Sequence, residues 1–320
     1  MRPFLPVLGG WAVMVGGAMA LPSSVVLRDR ASVMADARPG PGRPAFHRWP
    51  AGSRAGGRLG PRPPRGQLGE DEPCRNWRPT WMRAMAERGG SVVFVHGAGA
   101  GGWEWAAWSR VFAAAGWQVL APDLRAAPAG LAATRLQDYA AQVRGWLAAA
   151  PRPRVAVGAS LGGLLVAMNA DLADALVLVN PMPPAGSPGA ARRPAIVPWG
   201  RRATLSGTRR AMPGADDAAA LHAFRRWRDE SGAVLDEAAA GLALPVPTAP
   251  VLVLGSRADT DVPFAASAAL AAVWPATFLP IEGGHVDPLL GRSAPFAANQ
   301  ALAWLQERMG SGNICVSNAG

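Results

Sequence analysis

The sequence contains no lysine: all 32 basic residues of this 320-residue chain are arginine. That absence excludes chemistry that needs a lysine amine, such as a Schiff base, the phosphate-binding lysine of a P-loop or a lysine general base. Cysteine is nearly missing too. Cys74 and Cys315 lie far apart and are too few for a disulfide framework or a cysteine zinc site. Charged residues make up only 17% of the chain while 50% are hydrophobic, a globular rather than a disordered balance.

The net charge of +10 is unevenly placed. Residues 1–90 carry 14 Arg against 6 acids, whereas residues 91–320 carry 18 Arg against 16. The excess therefore belongs to the first 90 residues, and the remainder gives no electrostatic reason to expect nucleic acid as a partner. Within 37–66, Pro, Gly and Arg fill 21 of 30 positions without apolar periodicity, which predicts disorder.

Residues 1–20 have one early Arg, an apolar run and a small-x-small ending, the outline of a secretory signal peptide. The run is too short and too glycine-rich for a stable membrane insertion. The competing reading is that 1–84 is an upstream extension of a GC-rich gene, with Met85 as the working start. The first reading implies a secreted or periplasmic protein, the second a cytoplasmic one. Residues 311–320 are expected to form a flexible tail.

From residue 91 short apolar runs appear at 92–95, 118–120, 155–157, 176–179, 251–254 and 278–281. Continuous apolar runs are the signature of strands buried on both faces. Helical patterns at 103–115, 136–149, 161–169, 264–273 and 295–309 separate most of them. This alternation predicts an α/β fold, with a mostly parallel sheet of about six strands and helices on both faces. About 70 residues separate the runs ending at Val179 and starting at Val251, with helix-like patterns at 216–228 and 233–243. An insertion of that length is expected to be a lid, over about 183–247, within a domain covering 85–310.

The strongest local signal is Gly158-Ala159-Ser160-Leu161-Gly162-Gly163, which directly follows one predicted strand and opens a predicted helix. In a strand, sharp turn and helix the serine takes a strained conformation, and only small residues at Gly158 and Gly162 let the turn close. The alternative is a tight turn whose serine merely caps the helix. A serine hydroxyl needs a base to take its proton. Of the four histidines, His47 lies in the Arg/Pro/Gly tract, His96 precedes a glycine-rich turn where a structural role is expected, and His222 sits on an insertion helix. His285, in Glu282-Gly283-Gly284-His285, follows the last strand on the same sheet edge as Ser160, where ligands gather in open α/β sheets.

An acid must hold that histidine in one tautomer. The order Ser, acid, His points to Asp259, just past the strand 251–254, with Asp261 as its competitor. The oxyanion that forms when serine attacks a carbonyl needs two donors. Leu161 supplies one N–H at the helix start. The other is expected from the loop His96-Gly97-Ala98-Gly99-Ala100-Gly101-Gly102-Trp103, with Ala98 best placed.

These residues resemble the α/β-hydrolase superfamily over about residues 85–310. The resemblance rests on His96, Gly97 and Gly99, on the elbow around Ser160, on the strand after Pro250 leading to Asp259, and on Gly283-Gly284-His285. The glycine-rich loop with Trp103-Glu104-Trp105, followed by Gly116 to Leu124, is similar to the small esterase branch that includes plant methyl esterases and hydroxynitrile lyases. Serine at the elbow disfavours the branches that use aspartate there, and the missing lysine argues against lysine-assisted lyase chemistry.

The resemblance implies a serine hydrolase acting on a small-molecule carboxylic ester or thioester, with Ser160, His285 and Asp259 as triad, Ala98 and Leu161 as oxyanion hole, and no metal or other cofactor. Acyl transfer to an alcohol would use the same triad. A non-enzymatic binder with a nucleic-acid-contacting N-terminal tract is the rival from another class. The lid region carries arginine pairs at Arg192-Arg193, Arg201-Arg202, Arg209-Arg210 and Arg225-Arg226. Either these form a solvated surface, or one pair attracts a substrate carboxylate or phosphate.

Overall fold

The computed structural model describes residues 90–186 and 192–310. The signal-like segment, the Arg/Pro/Gly tract, the alternative start at Met85 and the expected tail lie outside the described residues.

In chain order the elements are strand β1 (Ser91–Val95), a 3-10 turn (Gly102–Trp105) leading into helix α1 (Ala106–Ala114), β2 (Gln118–Leu120), α2 (Leu136–Ala149), β3 (Arg154–Ala159), α3 (Leu161–Ala167) and β4 (Ala175–Val179). The insertion holds β5 (Ile196–Val197), α4 (Leu205–Ala211), α5 (Asp217–Phe224), β6 (Glu230–Ser231) and α6 (Gly232–Ala240). The chain closes with β7 (Val251–Ser256), α7 (Phe264–Val273), β8 (Thr277–Ile281), α8 (Asp287–Leu290) and α9 (Ala294–Gly310).

Six strands form one sheet in the order β2-β1-β3-β4-β7-β8. Every pairing in it is parallel, with Val92 opposite Val155, Val157 opposite Val177 and Leu178 opposite Val253. The sheet expected from the apolar runs is the one found. Its alternating side chains divide between two cores. Phe94, Val157, Val177 and Leu254 face α1 and α9, while Val95, Ala156, Leu178 and Val253 face α2, α3 and α7. On the first side Phe94 stacks on Trp105 with centroids 4.9 Å apart and meets Phe112 edge-on at 5.4 Å.

The helices differ from the sequence reading mainly at their ends. The pattern over 103–115 divides into the 3-10 turn and α1. α5 starts later than 216 because Asp216 is its cap, accepting from the Ala219 N–H, and α6 stops at Ala240 because Gly241 takes φ +88°. α4 and the two-residue antiparallel ribbon β5–β6 were not expected. No helix among the described residues is long and apolar enough to cross a membrane.

This strand order fixes where a site can form. From β1 the chain moves outward to β2, then returns to place β3 on the other side of β1. The direction of winding reverses between β1 and β3, and it is at the carboxyl ends of strands beside such a reversal that open α/β sheets bind ligands. The loops leaving β1 and β3 carry His96 to Ala100 and Ser160.

Candidate active site

Ser160 follows β3 immediately and has φ +51° and ψ −119°. Only Asn180 shares a positive φ among the described non-glycine residues. This conformation is strained for a residue with a Cβ. The surrounding bonds enforce it: the Ser160 N–H donates to Val179 O, and its carbonyl accepts from Gly163, Leu164 and Met182. The Ser160 side chain makes no capping bond to α3, unlike a serine whose role is to cap.

The elbow glycines are required by contact. A Cβ on Gly158 would lie 2.2 Å from Gly162 O, and one on Gly162 would lie 2.1 Å from Val95 O. α3 therefore starts hard against the end of β1, which brings Ser160 beside the loop after β1. A Cβ on Gly97 would lie 3.4 Å from the Ser160 Cβ.

His285 and Asp259 meet. The His285 Nδ1–H donates to Asp259 Oδ2 at 2.7 Å, and the Asp259 side chain is fully buried. Its other oxygen accepts the N–H groups of Asp261 and Val262, both at 2.8 Å. Asp261 thus donates its backbone to Asp259 and has no bond to His285. Burial pulls the His285 pKa down, but the hydrogen bond and charge of Asp259, with the charge of Asp261, outweigh it and leave the pKa raised. Burial pushes the Asp261 carboxyl up.

Two polar residues that the sequence reading did not single out hold this histidine in place. Asn180, just past β4 at φ +44°, donates to the His285 carbonyl at 2.8 Å and to Ser256 Oγ, and accepts from the Ser256 N–H. It ties the ends of β4 and β7 to the histidine loop, and asparagine is among the side chains that tolerate this backbone. Asp287 is buried and accepts the N–H groups of Gly284 and Gly214.

The loop after β1 is bonded at nearly every peptide. The Gly97 N–H donates to Glu104 Oε1, the Gly99 N–H to Glu230 Oε2, and the Ala100 N–H to Gly97 O. Among the described residues none accepts from the N–H of Ala98 or of Leu161. Glu104, only 2% exposed, has its carboxyl pushed up to about 8, chiefly by burial. His96 is buried and neutral, its pKa lowered to about 4 mainly by burial. Its Nε2 accepts from the Leu124 N–H, which leaves Nδ1–H to donate to Gly97 O.

The remaining sequence candidates stand apart. His222 is exposed, with its ring 5.7 Å from Trp103. His47 lies outside the described residues. In three of the arginine pairs one member is bound to an insertion carboxylate: Arg193 to Asp236, Arg201 to Asp229 and Arg209 to Asp217. Among the described residues no three His, Cys, Asp or Glu side chains gather as metal ligands.

Residues 92–299 match the family model described as "Alpha/beta hydrolase family". A search of curated proteins by sequence gives no match. Solved structures with a similar fold include polyneuridine aldehyde esterase, 18% identical over 67% of this chain and 99% of that one, with a TM-score of 0.54. A methylesterase from Arabidopsis is 17% identical over 69% of this chain and 99% of its own, with a TM-score of 0.54. A thermophilic esterase from Thermogutta terrifontis, solved with malate bound, is 20% identical over 68% of this chain and 91% of its own, with a TM-score of 0.53.

Proposed function

The chain belongs to the alpha/beta hydrolase family, and from that premise we propose that it is a serine hydrolase cleaving a carboxylic ester or thioester of a small molecule through an acyl-enzyme. The observation that carries this reading is the 2.7 Å bond from His285 Nδ1 to Asp259 Oδ2, on the sheet edge where Ser160 occupies its strained turn. The similar folds of three proteins whose names include esterase or methylesterase support it.

The chemistry follows from the roles. His285 takes the Ser160 proton on Nε2 as Oγ attacks the ester carbonyl, and Asp259 keeps the other ring proton on Nδ1 and stabilises the imidazolium. Negative charge develops on the carbonyl oxygen. The N–H groups of Ala98 and Leu161, for which no described residue is an acceptor, donate to that oxygen, and the start of α3 adds its dipole. Collapse of the tetrahedral intermediate releases the alcohol or thiol, which takes its proton from His285. Water, deprotonated by the same imidazole, then attacks the acyl-enzyme and frees the acid. The insertion, running from β4 to β7, is the lid in this reading.

The full chain should hydrolyse activated esters such as p-nitrophenyl acetate or butyrate. Ser160→Ala should lower turnover by roughly 10⁴- to 10⁶-fold. Retention of wild-type turnover by a folded Ser160→Ala protein would overturn the proposal.

A further inference from the structure

The insertion grips the loop after β1 at the peptides flanking Ala98. Arg228 donates its backbone N–H to Gly99 O at 2.7 Å, and the Gly99 N–H donates to Glu230 Oε2 at 2.9 Å, a residue 131 positions away. The Arg228 Nε donates to Ala100 O at 2.7 Å, and its Nη2 reaches His96 Nε2 at 3.1 Å. The fit is close: a Cβ on Gly99, which has φ +66°, would lie 2.9 Å from Arg228 O.

Glu230 is buried at 4% exposure and takes three donors from three places. Beside Gly99, its Oε1 accepts from the Tyr139 hydroxyl on α2 at 2.9 Å and from the Ser231 N–H at 2.8 Å. A buried carboxyl group held by three donors in this way is a rigid anchor. Its effect on the loop is specific. The peptide before Ala98 is held through Gly97, by Glu104 and by the bonds to Gly97 O. The two peptides after Ala98 are held by Glu230 and Arg228, so the direction of the Ala98 N–H, which has no acceptor among the described residues, is set from both sides.

We propose that Glu230 and Arg228 are positioning residues through which the insertion sets the oxyanion hole, acting on Ala98 by way of Gly99 and Ala100. This rests on the reading of Ala98 as an oxyanion donor. It implies that the insertion contributes to the chemical step as well as covering the substrate.

The test compares full-length wild type, Glu230→Gln, Arg228→Met and Ser160→Ala on one soluble ester, with a trifluoromethyl ketone whose adduct places an anionic oxygen in the hole. In Glu230→Gln one acceptor oxygen replaces two, and an amide N–H₂ faces a donor. Its kcat should fall about 10- to 100-fold with KM within twofold, and the ketone should bind more weakly by the same factor. Arg228→Met keeps the apolar stem of a half-exposed side chain and should give a three- to tenfold loss with the same pattern.

A change in KM alone, or unchanged ketone affinity in either folded variant, would overturn the proposal. If Glu230→Gln does not fold, Arg228→Met decides by the same criteria. When Ser160→Ala is dead and both insertion variants keep wild-type kcat, only this inference fails. An inactive wild type, or a fully active Ser160→Ala, overturns the hydrolase reading and this inference with it.

Discussion

Glu104 accepts the backbone N–H of Gly97 at 2.9 Å, one residue before the N–H of Ala98, which has no acceptor among the described residues. A carboxyl so placed is a structural acceptor whose ionisation is opposed by burial. Its pKa is pushed up from 4.5 to about 8, so at neutral pH it stays protonated and accepts through its carbonyl oxygen.

That shift makes stability depend on pH. A raised pKa means the native state keeps a proton that the unfolded chain has released, so this stability is fully present below pH 4.5 and is lost as pH rises through about 8. The slope reaches about 1.4 kcal/mol per pH unit. Glu104→Gln keeps the acceptor and removes the titration. Urea unfolding at pH 5 and pH 8 should show wild type losing roughly 2–4 kcal/mol more over this interval than the variant. Equal declines in the two proteins would refute the assignment.

The two aspartates after β7 should separate cleanly. Asp259→Asn forces the wrong tautomer on His285 and should lower kcat by about 10⁴-fold, as in other triads. Asp261→Asn leaves the 2.7 Å bond intact and should cost less than tenfold. Because His285 is raised above 6.5, partly by Asp261, the acid limb of kcat/KM in wild type should lie above pH 6.5 and move to lower pH in Asp261→Asn. Steady-state rates from pH 5 to 9 read both effects, and equal losses in the two variants would contradict the roles given.

Two glycines predict opposite outcomes for the same substitution. Gly162→Ala drives a Cβ to 2.1 Å from Val95 O and should destabilise by ~3 kcal/mol or more. Gly145, inside α2, has nothing within 4 Å of the added Cβ. Gly145→Ala should stabilise by about 0.5–1 kcal/mol through helix propensity and a less free unfolded chain. Thermal midpoints measure both, and a stabilised Gly162→Ala would show that the elbow is not closely packed.

The sheet was legible because parallel strands buried on both faces need unbroken apolar runs, and all six runs became strands. The helix pattern over 136–149 likewise matches α2, and 264–273 matches α7. Ser160, Asp259 and His285 could be placed on one edge because each follows a readable strand within a few residues. Glu104, Asn180, Glu230 and Asp287 could not. Each is a lone polar side chain that bonds mostly main-chain groups, some within seven positions and others more than 70 away, and hydrophobic periodicity carries no trace of such a bond. Two weak signs existed: a charge between Trp103 and Trp105 in a glycine-rich turn, and an asparagine between a strand and Pro181. The β5–β6 ribbon is two residues per strand, too short to show alternation.

The central claim is that Ser160 is the nucleophile, and covalent labelling tests it most directly. Full-length protein treated with a fluorophosphonate, then analysed by intact mass and peptide mapping, should carry one adduct, on Ser160, and Ser160→Ala should carry none. An adduct on another residue, with equal labelling of Ser160→Ala, would contradict the account.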